Sequence, residues 1–130
     1  MISLRSSLIA TLLLPQFWWA CSSGPDLPPE YDLQTAEQQV QEKIIYLRER
    51  VIASPSASEA WGELAMNLDV HDFKSEAIPA YQAAIGLDPS DGRWDYFLAT
   101  VLYEAGDPSS LNVFAQAIQK LPNVPPLELH

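Results

Sequence analysis

Apolar residues recur at helical spacing along most of the chain and line up in three columns. The columns are Ile44, Ile78 and Leu111; Leu47, Tyr81 and Phe114; and Val51, Ile85 and Ile118. In every column the first two members are 34 residues apart and the last two are 33 residues apart. Within one unit the three members are spaced i, i+3 and i+7, so they share one face of a helix. The pattern predicts one type of helix that occurs three times.

Start and stop signals divide the chain into five predicted helices. Ser58 and Glu59 form an N-terminal signal, Gly106 is a stop signal, and Pro108 suits a first helical turn. Pro79 falls inside the third helix, where it should kink the helix or shift its start toward Ser75. We predict helices at residues 32–53, 58–70, 74–87, 91–105 and 108–121. The expected fold is all-α, a short α-solenoid of antiparallel helical hairpins.

The period and the residue spacing within it resemble the tetratricopeptide repeat. That family's pattern is Trp-x2-Leu-Gly-x2-Tyr, then Ala-x3-Phe, then Pro. This chain has Trp61, Leu64, Ala65 and Leu68, then Ala77, Tyr81, Ala84 and Pro89, in the same register. Leu98, Ala99, Phe114 and Pro122 repeat it once more, with one residue deleted in a turn and Trp94 one place early. The resemblance implies two full units preceded by a half unit.

The resemblance also implies a concave groove lined by the first helix of each hairpin. Carried over by position, the groove residues on the second helix include Met66 and Asp69, beside Gly62 and Glu63. On the fourth helix they are Arg93, Tyr96, Thr100 and Tyr103. Tyr and Arg are favoured at the energetic centres of interfaces. A groove this short suits a short peptide or one helix of a partner. The alternative is that the tyrosines only pack against neighbouring helices.

The first 20 residues are typical of an export signal and are excluded from the fold. Arg5 precedes an uncharged stretch that is short for a membrane span and contains Pro15. Ala20-Cys21 at its end resembles the processing site of a bacterial lipoprotein, in which the cysteine is lipidated. Trp18 departs from the aliphatic residue usual there, and an ordinary signal peptide or an uncleaved anchor stays open. By the same family analogy, Ser22 favours the outer membrane, facing the periplasm; the alternative is a soluble periplasmic protein.

We therefore divide the chain into four parts. They are a signal peptide (1–20), a lipid-attached flexible linker (21–31), a repeat domain (32–122) and a tail (123–130). A repeat stack exposes an apolar face at each end, and the tail is too short for a capping helix. Either the tail or another molecule is expected to cover the last helix.

The charge of −10 argues against a nucleic-acid partner, because phosphate binding requires clustered Lys and Arg. Recognised catalytic spacings are missing from the sequence. His71 and His130 have no ligand partners at a known spacing, Cys21 lies in the export signal, and no Gly-rich phosphate loop occurs. We expect no catalytic residue, metal, cofactor or small-molecule substrate.

These features predict a non-enzymatic protein-interaction module, an adaptor or scaffold held at the cell envelope by lipid on Cys21. The alternative is a structural accessory subunit of an envelope complex, docked through its uncapped last helix.

Overall fold

A computed structural model describes residues 24–121, and regular structure there is entirely helical. The helices are α1 (Gln38–Ala53), α2 (Ser58–Val70), α3 (Lys74–Leu87), α4 (Gly92–Glu104) and α5 (Ser110–Lys120). The described residues form no β-strand. The predicted all-α fold of about five helices is confirmed. The predicted signal, Cys21 and the tail lie outside the described residues.

Helices α2 and α3 have the predicted bounds, whereas the other three are shorter. The first helix begins at Gln38 rather than at Asp32, because the backbone turns between Leu33 and Ala36: the Ala36 N–H donates to the Leu33 carbonyl at 2.9 Å. Before α5, the Asp107 carboxylate accepts from the Ser109 N–H at 2.8 Å. That hydrogen bond stabilises a turn at residues 107–109, so α5 begins at Ser110 and not at the predicted residue 108. Helix α3 starts at Lys74 and continues through Pro79.

The helices stack as two hairpins behind a single leading helix. Helices α2 and α3 form one hairpin, α4 and α5 form the other, and α1 packs on α2 while α3 packs on α4. The core consists of apolar side chains from α1 to α4, extended toward α5 by Ala117. Of the repeat-core residues predicted from the sequence, eight are buried: Trp61, Leu64, Ala65, Ala77, Tyr81, Ala84, Leu98 and Ala99. Phe114 is half-buried and Pro89 is exposed in its turn.

The segment before α1 has no regular secondary structure, yet part of it packs on the helices. Pro28 is buried, and Leu33 belongs to the core at 8% exposure. The Arg48 Nε–H on α1 donates to the carbonyls of Pro28 and Pro29, at 3.2 and 2.7 Å. The packed part of the chain therefore begins within residues 21–31, the predicted flexible linker.

Candidate functional site

On α2, two of the predicted groove residues, Met66 and Asp69, already contact other parts of the fold. Met66 is half-buried and packs against the core. The Asp69 carboxylate accepts from Lys74 Nζ at 3.2 Å and from the Tyr81 hydroxyl at 3.4 Å. Lys74 also pairs with Glu104 on α4. Burial, assisted by the nearby Asp69 charge, raises the pKa of Tyr81. Asp69 thus helps to hold α2 against α3.

Arg93, at the start of α4, lies in a small ionic cluster. Its guanidinium donates to the carboxylates of Asp91 at 2.7 Å and Glu59 at 2.8 Å. The hydrogen bonds from Arg93 lower the pKa of Asp91. The guanidinium carbon also lies 4.8 Å from the centroid of the Trp94 ring, a cation–π arrangement. Arg93 remains about half exposed, so its guanidinium is still accessible from solvent.

Trp94 closes part of the predicted groove between α2 and α4. Gly62 on α2 is buried, and a Cβ added there would overlap the indole ring of Trp94. Trp94 itself is 1% exposed, and its Nε1–H has no hydrogen-bond acceptor within the described residues. Gly62 therefore offers no open groove wall. The early register of Trp94 in the sequence was the only signal of this contact.

The three remaining predicted residues, on α4, differ in their surroundings. Thr100 is half-buried, and its hydroxyl donates to the Tyr96 carbonyl at 3.0 Å. Tyr96 is half exposed and meets Phe114 of α5 edge-on, with 5.9 Å between the ring centroids. Tyr103 is 66% exposed and lines a cavity of about 240 Å³ together with Leu111. The structure thus places both tyrosines beside α5, away from the internal pairs of Asp69.

The exposed apolar residues of α5 complete a surface at the end of the stack. Leu111 is 70% and Ile118 73% exposed, whereas their column partners on α1, Ile44 and Val51, are fully buried. The corresponding residues of α3, Ile78 and Ile85, are half-buried. We call this region the end surface; it consists of Tyr96, Tyr103, Leu111, Phe114 and Ile118. The sequence columns predicted that these side chains share a face, although not that Tyr96 and Tyr103 join them.

An ion pair missed by the sequence analysis holds α5 in place. Asp95 on α4 is 1% exposed and accepts from Lys120 Nζ at 2.8 and 2.9 Å. Beside it, Gly92 lets the end of α5 approach closely, since a Cβ on Gly92 would lie 2.7 Å from the Lys120 Cβ. A lone Asp among helix-surface residues gave no sign of burial. The pair fixes the orientation of α5 and hence of the end surface.

His71 is exposed at the C-terminal cap of α2. Residues 24–121 contain no cluster of three or more His, Cys, Asp or Glu placed to hold a metal ion. Within the same range, every helix is too short or too polar to cross a membrane. No protein-family model matches the chain, and no curated protein matches its sequence.

Proposed function

We propose that this protein is a non-enzymatic interaction module of the tetratricopeptide type, tethered at the bacterial cell envelope by lipid on Cys21. The observation that carries the proposal is the apolar end surface beside the predicted groove. It contains two exposed tyrosines, and aromatic residues supply contact area at low entropic cost in protein interfaces. An apolar patch on an otherwise acidic, solvated protein favours a protein partner.

Membrane attachment is tested by changing Cys21 to Ser in the producing bacterium. The proposal predicts that the unaltered protein fractionates with membranes and that Cys21→Ser moves it to the soluble periplasmic fraction. An unchanged membrane fraction for Cys21→Ser would contradict lipid attachment without touching the binding proposal.

Partner binding is tested by placing a photo-crosslinking amino acid at Tyr103 in living cells. One dominant envelope protein should be captured, and capture should fall when Arg93 and Tyr96 are changed to Ala. Val70 is the control position, because it is an exposed apolar residue on α2 outside the end surface. Equal capture from Val70 and Tyr103 would contradict a defined binding face.

A second candidate function is a structural accessory subunit that docks through α5. The exposure of Leu111 and Ile118 favours it. Crosslinks from Ile118 but not from Met66 would identify this arrangement, whereas crosslinks from Met66 and Arg93 would favour a partner in the groove.

A further inference from the structure

The end surface continues an interface that the chain already uses twice. On α1, which packs on α2, all three column residues are buried; on α3, which packs on α4, Tyr81 is buried and Ile78 and Ile85 are half-buried. Ile44, Leu47 and Val51 are at most 1% exposed. On α3, Tyr81 is fully buried and stacks with Phe97 of α4 at 6.2 Å. The same columns on α5 lack a covering helix within the described residues. The shape that fits them is therefore that of a helix like α2 or α4.

One position differs between the contact of α2 with α4, which we call the inner interface, and the end surface. Gly62 receives the indole ring of Trp94, the aromatic residue of the covering helix. The equivalent residue one repeat later, 34 positions along, is Tyr96. The Tyr96 ring already meets Phe114 edge-on, with 5.9 Å between the ring centroids. A covering helix that brought a tryptophan against position 96, as α4 brings Trp94 against Gly62, would collide with the Tyr96 ring. The covering helix therefore needs a small residue at that place.

Charge favours the same kind of occupant. Lys120 is the only charged residue of α5, and its amine is paired with Asp95. The chain as a whole carries a charge of −10, so an uncharged helix face is unusual on it. Depletion of charge is typical of the centre of a protein interface. A second copy of the chain fits less well, because two copies would each bring a charge of −10 to the contact, and like net charge opposes association.

We propose that the end surface is a docking site for an amphipathic helix of a partner protein. That helix presents an apolar stripe like that of α4 and carries a small residue where α4 has Trp94. The proposal deepens the interaction-module function by naming the class of partner. Its specificity rests on Tyr96, which reverses the aromatic–small pairing of the inner interface.

The test uses the full chain and two synthetic peptides of residues 91–105, labelled with a fluorophore. One peptide has the natural sequence and the other carries Trp94→Ala. Fluorescence anisotropy should show saturable binding of the Trp94→Ala peptide and at least tenfold weaker binding of the natural one. Tyr96→Gly in the protein should reverse that preference, because glycine at position 96 leaves room for a tryptophan ring as Gly62 does for Trp94.

Charged substitutions locate the bound peptide. Leu111→Glu and Ile118→Glu should each weaken binding at least tenfold, while Val70→Glu, at an equally exposed apolar position, should leave it unchanged. Circular dichroism of each variant checks that the helices persist. Because all three substitutions alter exposed side chains, the fold should be retained.

Several outcomes would overturn the proposal. These are no saturable binding, binding insensitive to Leu111→Glu, or a peptide preference that Tyr96→Gly does not reverse. Binding seen only after deletion of residues 122–130 would make the tail the occupant. A dimer in sedimentation that Ile118→Glu dissociates would make it a second copy. The interaction-module proposal is tested separately: crosslinks in cells from Met66 and Arg93 would support it even if no peptide binds the end surface, whereas no capture from Tyr103, Met66 or Arg93 would contradict it.

Discussion

Gly62 and Trp94 form a tight contact between the first helices of the two hairpins. The indole ring fills the space that any side chain at position 62 would need. Glycine is a poor helix former, so its presence inside α2 is accounted for by this contact. The pair sets the spacing of α2 and α4, and with it the width of the predicted groove.

Replacing Gly62 with Ala should therefore destabilise the protein, despite the better helix propensity of Ala. We expect a loss of about 1–3 kcal/mol in the free energy of unfolding, as for overpacked cores, measured by urea denaturation. Gly86→Ala in α3 is the matched control, because a Cβ there meets nothing within 4 Å. That variant should gain about 0.5–1 kcal/mol from helix propensity. Equal effects at the two positions would contradict the packing of Trp94 on Gly62.

The Asp95–Lys120 pair gives a second prediction at this scale. Lys120→Met leaves a buried carboxylate without its partner, and breaking a buried pair in this way costs about 3–5 kcal/mol. Thermal or urea unfolding measures the loss. Arg50→Met breaks the exposed pair with Glu63 and should cost under about 1 kcal/mol. If Lys120→Met costs no more than Arg50→Met, Asp95 is not held as described.

Among the elements, the segment before α1 packs along the leading helix; we call its residues 28–33 the strap. The carbonyls of Pro28 and Pro29 lie outside regular secondary structure, and the Arg48 side chain on α1 donates the hydrogen bonds that they accept. Tyr31 and Leu33 then pack beside α1. The half unit at the start of the stack thus has part of its apolar face covered by extended chain rather than by a helix.

Arg48→Met should release this strap while leaving the hairpins intact. Hydrogen bonds to a charged donor contribute about 1.5–3 kcal/mol, so amide exchange near Leu33 should accelerate roughly tenfold or more. Hydrogen–deuterium exchange with mass spectrometry measures it, and exchange in α4 and α5 should not change. Lys43→Met, at an exposed position of the same helix, is the control. Unchanged exchange near Leu33 would mean that Arg48 does not hold the segment.

The sequence was most informative where side-chain period and end signals agreed. The bounds of α2 and α3 were predicted correctly for that reason, whereas the start of α1 was wrong. Leu33 lies within the range predicted as helix, residues 32–53, but reaches the core from a turn. The surroundings of Tyr96 could not be predicted either. Period assigns a residue to a face, but only the packing between helices decides which neighbour that face meets.

At the scale of the whole molecule, the stack is short, so a single contact between helices contributes a larger share of its stability than in a long array. Each repeat contacts only its neighbours, and stability is close to a sum of local terms. The strap with Tyr31, the Tyr81–Asp69 contact and the Asp95–Lys120 pair join successive parts of the stack. Loss of one of them is expected to open one end before the other.

Alkaline pH should destabilise two parts of the stack, the segment before α1 through the half-buried Tyr31 and α3 through the buried Tyr81. Burial raises the pKa of Tyr31 from its ordinary value of 10.0 to about 12, and burial also raises that of Tyr81. In the unfolded chain each phenol loses its proton near pH 10, whereas the folded protein retains it to higher pH. The unfolded state is then favoured, so stability present below pH 10 is lost as the pH rises toward 12.

Urea midpoints measured between pH 8 and pH 12 should fall in the upper half of that range. Tyr31→Phe removes one of the titrating groups and should flatten the fall, and Tyr31→Phe combined with Tyr81→Phe should flatten it further. If the slope above pH 10 is the same in all three proteins, neither phenol is buried in the folded state. The order of loss is informative as well: exchange near Leu33 should rise with pH in the unaltered protein but less in Tyr31→Phe, because the strap is the part that Tyr31 anchors.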